Sequence, residues 1–136
     1  MTLRLLLILG AYALATFAGC GPTPVVGGTS GVLLAGGEPL ADVQLTVYAA
    51  RDGAWQPIGF ADTSADGQFR LLLNEARGPL ELEPGDYRFT LQSVGAPVVI
   101  PQALARVEAT TLQTTWTGNE TQLTLTLPTR LAQPRR

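Results

Sequence analysis

Apolar and polar residues alternate along several short stretches of this chain, and this alternation restricts the fold more than any other feature. It is clearest at 43–48 (VQLTVY), 87–92 (YRFTLQ) and 122–127 (QLTLTL). Successive side chains of a strand point to opposite faces of its sheet, so a period of two indicates strands with one buried and one solvated face. In the second stretch, the aromatic and leucine side chains would face the core. The sequence therefore predicts an all-β domain.

Turn-forming residues separate the alternating stretches. They lie at 36–39 (GGEP), 65–67 (ADG), 83–86 (EPGD) and 117–119 (TGN). Glycine accepts a positive φ and proline presets φ, which suits both to tight turns. The strands expected between them are 30–36, 41–50, 56–63, 67–74, 86–93, 104–116 and 121–128. Roughly seven short strands with regular turns are typical of a β-sandwich, although 103–110 (ALARVEAT) could instead form one or two helical turns.

The N-terminus has the pattern of an export signal. A short start with one basic residue, Arg4, precedes an apolar stretch at 5–17, and the small residues Ala18 and Gly19 come directly before Cys20. The apolar stretch is shorter than the roughly 20 residues that a membrane-spanning helix needs. It fits the central part of a secretory signal peptide, which is removed from the mature protein. An ordinary signal peptide with a chance cysteine and an uncleaved anchor helix are the alternatives.

Residues 16–21 (TFAGCG) resemble the lipobox of bacterial lipoproteins, with Phe17 where that pattern prefers leucine. The resemblance implies cleavage before Cys20 and acylation of Cys20 on its sulfur and its amine. Two or more acyl chains anchor a protein stably in a membrane. On this interpretation 1–19 are a lipoprotein signal peptide, Cys20 is the lipidation site and 20–29 (CGPTPVVGGT) are a flexible tether. The protein would be anchored in the bacterial cell envelope, and Gly21 favours the outer over the inner membrane.

Three further stretches resemble, in order, motifs of carboxypeptidase-regulatory-like domains. They are 37–45 (GEPLADVQL), 62–69 (DTSADGQF) and 82–89 (LEPGDYRF). The resemblance implies a seven-stranded Greek-key β-sandwich, transthyretin-like or immunoglobulin-like, over residues 30–128, with a polar C-terminal tail at 129–136. The matches fall on scaffold residues, so they transfer a fold and no activity.

Two of these motifs have a direct physical interpretation. Tyr87 can bury its ring while its hydroxyl binds a loop carbonyl, as in a tyrosine corner. The Asp66-Gly67 pair suits a tight hairpin, because both residues tolerate turn conformations. We therefore expect both segments to be structural.

The composition argues against several functions. The chain has no histidine, which excludes hydrolysis through a histidine base and metal sites built on histidine. Its net charge of −2 leaves no basic excess for binding nucleic acid. Acidic residues near two turns could form weak cation sites, but solvated loop charges are the favoured interpretation; these residues are Asp62, Asp66, Glu81, Glu83 and Asp86. We expect no catalytic residues, no metal and no cofactor.

The two tryptophans are the main candidates for contacts. Trp55 follows 51–54 (RDGA), expected to be a loop. It could stack on a sugar ring or a partner protein, or it could close the core at the edge of the sandwich, which is the favoured alternative. Trp116 has the strand parity of Leu112 and is expected in the core. The apolar segment 94–101 (VGAPVVIP) either crosses an end of the sandwich, which is favoured, or forms a lip for a partner.

These features predict a non-enzymatic binding or structural module of the cell envelope. Its expected partners are the membrane, through acylated Cys20, and an envelope protein or glycan. A carbohydrate-binding module and an accessory lipoprotein of a secretion or envelope complex are the alternatives.

Overall fold

The fold consists of two β-sheets packed as a sandwich. The structure is a computed structural model that describes residues 27–95 and 98–131. The expected signal peptide, Cys20, most of the tether and the end of the tail lie outside these residues. The strands in the described ranges are β1 (Ser30–Ala35), β2 (Glu38–Pro39), β3 (Val43–Arg51), β4 (Ala54–Asp62), β5 (Gln68–Arg70), β6 (Leu72–Leu73), β7 (Gly85–Ser93), β8 (Gln113–Trp116) and β9 (Leu123–Leu127). The expected all-β sandwich is confirmed.

The smaller sheet is built around β1. This strand pairs antiparallel with β2 and β5 and parallel with β9. Gly31, for example, lies opposite Phe69 of β5 and Leu123 of β9. The first strand of the domain therefore lies at the centre of this sheet and pairs with the last strand.

The larger sheet has the strand order β6-β4-β3-β7-β8, and each neighbouring pair is antiparallel. Its long central strands, β3 and β7, pair from Val43 opposite Ser93 to Ala49 opposite Tyr87. The pairing of β3 with β4 shifts by one residue between Val47 and Tyr48, where β4 is bulged. This sheet carries the site described below.

Each of the seven expected strands overlaps an observed strand, but two of them are shorter or divided. The expected strand 67–74 is split into β5 and β6 at Leu71, which is fully buried and donates its N–H to the Thr29 carbonyl. The expected strand 104–116 is reduced to β8, because a 3₁₀ turn at Gln102–Ala105 and a turn after Arg106 occupy its first half. The short β2 adds a pairing inside an expected turn. The Greek-key connectivity stays a prediction.

The core lies between the sheets and follows the alternation of the sequence. The largest fully buried side chains are Leu33, Val43, Leu45, Val47, Leu71 and Phe89. Trp116 is 7% exposed and belongs to the same cluster, so its expected core position is confirmed. Thr90 departs from the alternation, since it is buried although it points to the outer face of β7. The 3₁₀ turn after β7 packs against that strand.

The tyrosine corner is confirmed. Tyr87 is 7% exposed, and its hydroxyl donates a hydrogen bond of 2.6 Å to the Glu83 carbonyl. Burial raises the pKa of the Tyr87 hydroxyl. The bond fixes the loop that leads into β7.

The Asp66-Gly67 turn is tight but does not close a paired hairpin. The N–H of Gly67 donates to the Ser64 carbonyl, and the Ser64 N–H donates to the Gln68 carbonyl. The strands on either side, β4 and β5, belong to different sheets. The turn therefore carries the chain from one layer of the sandwich to the other.

Both ends of the described chain are attached to the domain. The Gly28 N–H donates to Glu81 Oε1, and Thr29 is buried and bonded to Leu80 and Leu82. The last three residues of the expected tether, 27–29, are thus part of the folded domain. At the other end, Arg130 forms an ion pair with Glu38 and Leu131 packs against the core, so the expected tail also begins inside the domain.

Candidate functional site

Trp55 lies on the outer face of the larger sheet. It is the second residue of β4 and pairs with Ala50 of β3. Directly opposed residues share a face, and Ala50 has the outward parity of β3, so Trp55 also points outward. The expected loop position is wrong because Asp52 and Gly53, with φ of 53° and 79°, complete a two-residue hairpin turn. Trp55 is half-buried and does not belong to the core cluster, so it does not close the core.

The guanidinium of Arg88 covers the Trp55 ring. Its Cζ lies 4.6 Å from the ring centroid, which is a cation–π distance. The Nη1 of Arg88 also donates a hydrogen bond of 3.1 Å to the Val107 carbonyl. The Nε is buried without a hydrogen-bond partner among the described residues. A buried unpaired donor costs about 1–3 kcal/mol, so Arg88 is held here against that cost.

A shallow trough of about 520 Å³ lies beside this stack, and we call it the Trp55 trough. Ala50 lines the trough next to Trp55 of β4, and continuing the β3–β7 register by one residue beyond the Ala49–Tyr87 pair places this small side chain beside Asp86. Larger side chains on both sides of a small one leave a concavity in an otherwise flat sheet face. The lining residues are Ala50, Trp55, Asp86, Tyr87, Arg88, Gln113, Thr114 and Thr115.

The polar groups of the Trp55 trough are held in place by the sheet. Asp86 pairs with Thr115, whose hydroxyl donates a hydrogen bond of 2.7 Å to the Asp86 carboxylate. Arg88 pairs with Gln113 in the next row. The trough therefore combines an indole, a guanidinium, a carboxylate, an amide and a hydroxyl on one surface, which provides hydrogen-bond donors, acceptors and an apolar plane.

The acidic residues near the Pro84-Gly85 turn each contact a different part of the domain. Glu81 binds the Gly28 N–H at 2.6 Å, Glu83 supplies its backbone carbonyl to Tyr87, and Asp86 binds Thr115. Within 27–95 and 98–131, no three histidine, cysteine, aspartate or glutamate side chains form a group that could hold a metal ion. Asp86 is the only one of the three that lines the Trp55 trough.

Sequence reasoning missed Arg88, Gln113 and Thr115 as members of a site. The alternation at 87–92 puts Arg88 on the solvated face of its strand, and the structure places it on that outer face but against Trp55. The Asp52-Gly53 pair is a known two-residue turn signal and could have placed Trp55 on a strand. Bringing Trp55 to Arg88 requires in addition the registers of β3 with β4 and with β7.

Val98 and Ile100, which follow β7, lie along the same face of the sheet. A second concavity of about 570 Å³ lies between Thr46, Gln92 and Val98. Val98 is buried there, whereas Val99 is 50% exposed. The segment expected to cross the end of the sandwich therefore lies partly on the outer face, next to the Trp55 trough.

Comparisons of the chain with protein-family models, with curated proteins and with solved structures found no match. The described ranges contain no helix that is long and apolar enough to span a membrane.

Proposed function

We propose that the protein is a lipid-anchored module of the bacterial cell envelope that binds its ligand or partner in the Trp55 trough without catalysing a reaction. The observation that carries this proposal is the Arg88–Trp55 stack beside a row of oriented polar groups on an open sheet face. Aromatic residues and arginine are the side chains that contribute most to recognition surfaces.

The arrangement of the trough favours binding over catalysis. Its single carboxylate, Asp86, has no second carboxylate across the concavity, whereas glycoside hydrolysis uses two carboxyl groups about 5–9.5 Å apart. Arg88 is fixed by Trp55 and Val107, and the chain contains no histidine to serve as a base. Groups held in this way can orient a ligand, and they offer no pair that would activate a nucleophile.

The anchoring part of the proposal is supported by the N-terminal sequence. An apolar stretch followed by Ala18, Gly19 and Cys20 fits a lipoprotein signal, and Cys20 is the only cysteine of the chain. The described domain begins at Gly27, a few residues later. Acylation of Cys20 would hold the module at a membrane surface.

Substitution of the cysteine tests the anchor. In a bacterial host, the full-length Cys20→Ser variant should be released from the membrane fraction or remain unprocessed, because its side chain cannot take a thioether-linked lipid. The matched control Gly21→Ser changes the neighbouring residue and should stay with the membrane. Membrane fractionation and mass spectrometry of the mature N-terminus provide the measurements. A wild-type protein whose mature chain begins anywhere other than at Cys20 would contradict the proposal.

A further inference from the structure

We infer that the ligand of the Trp55 trough is a neutral carbohydrate chain. The inference rests on the proposed function and deepens it, since it names the class of ligand. Its basis is the combination of an indole with two opposite charges in one shallow, open concavity.

The indole suits the flat face of a sugar ring. A pyranose presents C–H groups on its face and hydroxyl groups around its rim, so it packs on an aromatic plane while its rim forms hydrogen bonds. Trp55 is half-buried and lines the trough, with the small Ala50 next to it in the adjacent strand. Arg88 covers one face of the indole, so a sugar ring would pack on the part of the indole that stays exposed beside Ala50. Aromatic side chains contribute large contact areas at low entropic cost.

The charges select against ionic ligands. Asp86 and Arg88 lie two positions apart on the same face of β7, which corresponds to about 7 Å along a strand. An anion attracted by Arg88 would be repelled by Asp86, and a cation would meet the opposite conflict. A sugar hydroxyl both donates and accepts, so neighbouring hydroxyls can satisfy the carboxylate and the guanidinium together. Neutral polyhydroxyl ligands therefore fit this pair best.

Preorganisation makes the contact favourable despite the shallow shape. The Thr115 hydroxyl orients Asp86, and the Val107 carbonyl with the Trp55 ring orients Arg88. Groups that are already ordered lose little conformational entropy when they bind. The trough extends to Gln113 and Thr115 on β8, the last strand of the sheet. An oligosaccharide can therefore lie across the strands and leave at that edge.

A binding titration with the full-length protein tests the inference. The protein is purified in a detergent without a sugar head group, and calorimetry is carried out with neutral chito-, malto-, xylo- and manno-oligosaccharides and with acidic oligogalacturonate. At least one neutral chain should bind, and oligogalacturonate should bind at least tenfold more weakly. Trp116 is buried in the core, so a change in tryptophan fluorescence on binding should disappear when Trp55 is replaced by phenylalanine.

Variants locate the binding to the trough. Trp55→Ala, Asp86→Asn and Arg88→Met should each weaken binding about tenfold or more, which corresponds to about 1.4 kcal/mol. Ala50→Leu should have the same effect by filling the trough, without removing any binding group. Gln92→Ala is the matched control, because Gln92 is an exposed residue on the outer face of β7 outside the trough, and binding should be unchanged. Far-UV circular dichroism and thermal unfolding verify that every variant is folded.

Three results would overturn the inference. They are the absence of binding by every neutral oligosaccharide, preferential binding of oligogalacturonate, and neutral binding that Ala50→Leu and Arg88→Met leave intact in folded proteins. None of these results affects the fractionation of Cys20→Ser. Failure of the carbohydrate assignment is therefore distinguishable from failure of the proposed anchor.

Discussion

Four consecutive residues at the start of β7 serve both faces of the larger sheet. Asp86 and Arg88 point outward into the Trp55 trough, while Tyr87 and Phe89 point into the core. The hydrogen bond from Tyr87 to the Glu83 carbonyl fixes the loop before the strand. The site residues are therefore oriented by neighbours on which the stability of the domain depends.

Replacement of Tyr87 by phenylalanine tests how much this residue stabilises the domain and how that stability changes with pH. Near neutral pH, Tyr87→Phe should lower the free energy of unfolding by about 1 kcal/mol, because one hydrogen bond is lost. Burial raises the Tyr87 pKa in the folded protein, so above the ordinary value of 10.0 the unfolded chain binds fewer protons than the folded one. Stability of the wild type should then fall as the pH rises through the alkaline range. Urea unfolding over a pH series measures this slope.

The variant provides the control for the same experiment. Its phenylalanine cannot ionise, so the part of the alkaline slope that comes from residue 87 should be absent. Parallel stability curves for the wild type and Tyr87→Phe above pH 10.0 would contradict the assignment of the raised pKa to this residue.

At the scale of elements, β1 is the most confined strand of the smaller sheet. It has β9 as a parallel neighbour and β2 and β5 as antiparallel neighbours. Gly31 lies where Phe69 of β5 and Leu123 of β9 approach the backbone, and a Cβ built there would be 2.8 Å from the Leu123 Cβ and close to the Phe69 ring. The glycine is required by this packing and not by its φ angle.

Gly31→Ala should therefore destabilise the domain. Forcing a methyl group into a closely packed site typically costs about 1–3 kcal/mol, since neighbouring side chains and strands must shift. Gly53→Asn is the comparison, because a Cβ at Gly53 meets no atom outside the adjacent residues within 4 Å, so this variant carries the strain of a φ of 79°, which asparagine tolerates better than most residues, without a packing clash. Thermal unfolding of both variants compares them. Equal stability of Gly31→Ala and the wild type would show that the contact relaxes without cost.

The sequence predicted the positions of the strands better than the contacts between strands. Period-two alternation located β3, β7 and β9, and the tyrosine corner followed from Tyr87 beside the Pro84-Gly85 turn. The same reasoning treated 51–54 as a loop, although a two-residue turn there extends β3 and β4. Contacts that depend on the pairing of distant strands, such as Arg88 on Trp55, have no local signal. The residues that line the Trp55 trough could therefore be predicted only in part.

The loop between β8 and β9 is also held in place by contacts that the hydrophobic pattern does not indicate. The Glu120 carboxylate accepts hydrogen bonds from the Thr117 hydroxyl and from the N–H groups of Thr117 and Gly118. These bonds, the Thr117 hydroxyl first, hold the pKa of Glu120 below its ordinary value. The sequence indicated a turn at 117–119, but not that the next residue would organise it.

At the scale of the whole molecule, Thr29 connects the two layers of the sandwich. Its N–H donates to the Leu80 carbonyl, its carbonyl accepts from the Leu71 N–H, and its hydroxyl oxygen accepts from the Leu82 N–H at 2.9 Å. Leu82 lies three residues before the first residue of β7, whereas Thr29 directly precedes β1. The start of the smaller sheet is therefore tied to the loop that enters the larger one.

Thr29→Val should lower the stability of the domain, because valine has nearly the shape of threonine but lacks the hydroxyl. The variant leaves the buried Leu82 N–H without its acceptor, which costs about 1–3 kcal/mol. Thr124→Val is the matched control on an exposed position of β9 and should change stability by less than about 0.5 kcal/mol. Urea unfolding gives the two free energies. A Thr29→Val protein as stable as the Thr124→Val protein would contradict a structural role for the hydroxyl.

The attachment of residues 27–29 to the domain also limits the distance between Cys20 and the folded domain. Only residues 21–26 separate Cys20 from Gly27, and a fully extended chain of that length spans about 25 Å at most. If lipid anchors Cys20 in a bilayer, Gly27 therefore stays within about 25 Å of the anchored residue. A glycan or protein then has to approach the membrane to within that distance plus the dimensions of the domain.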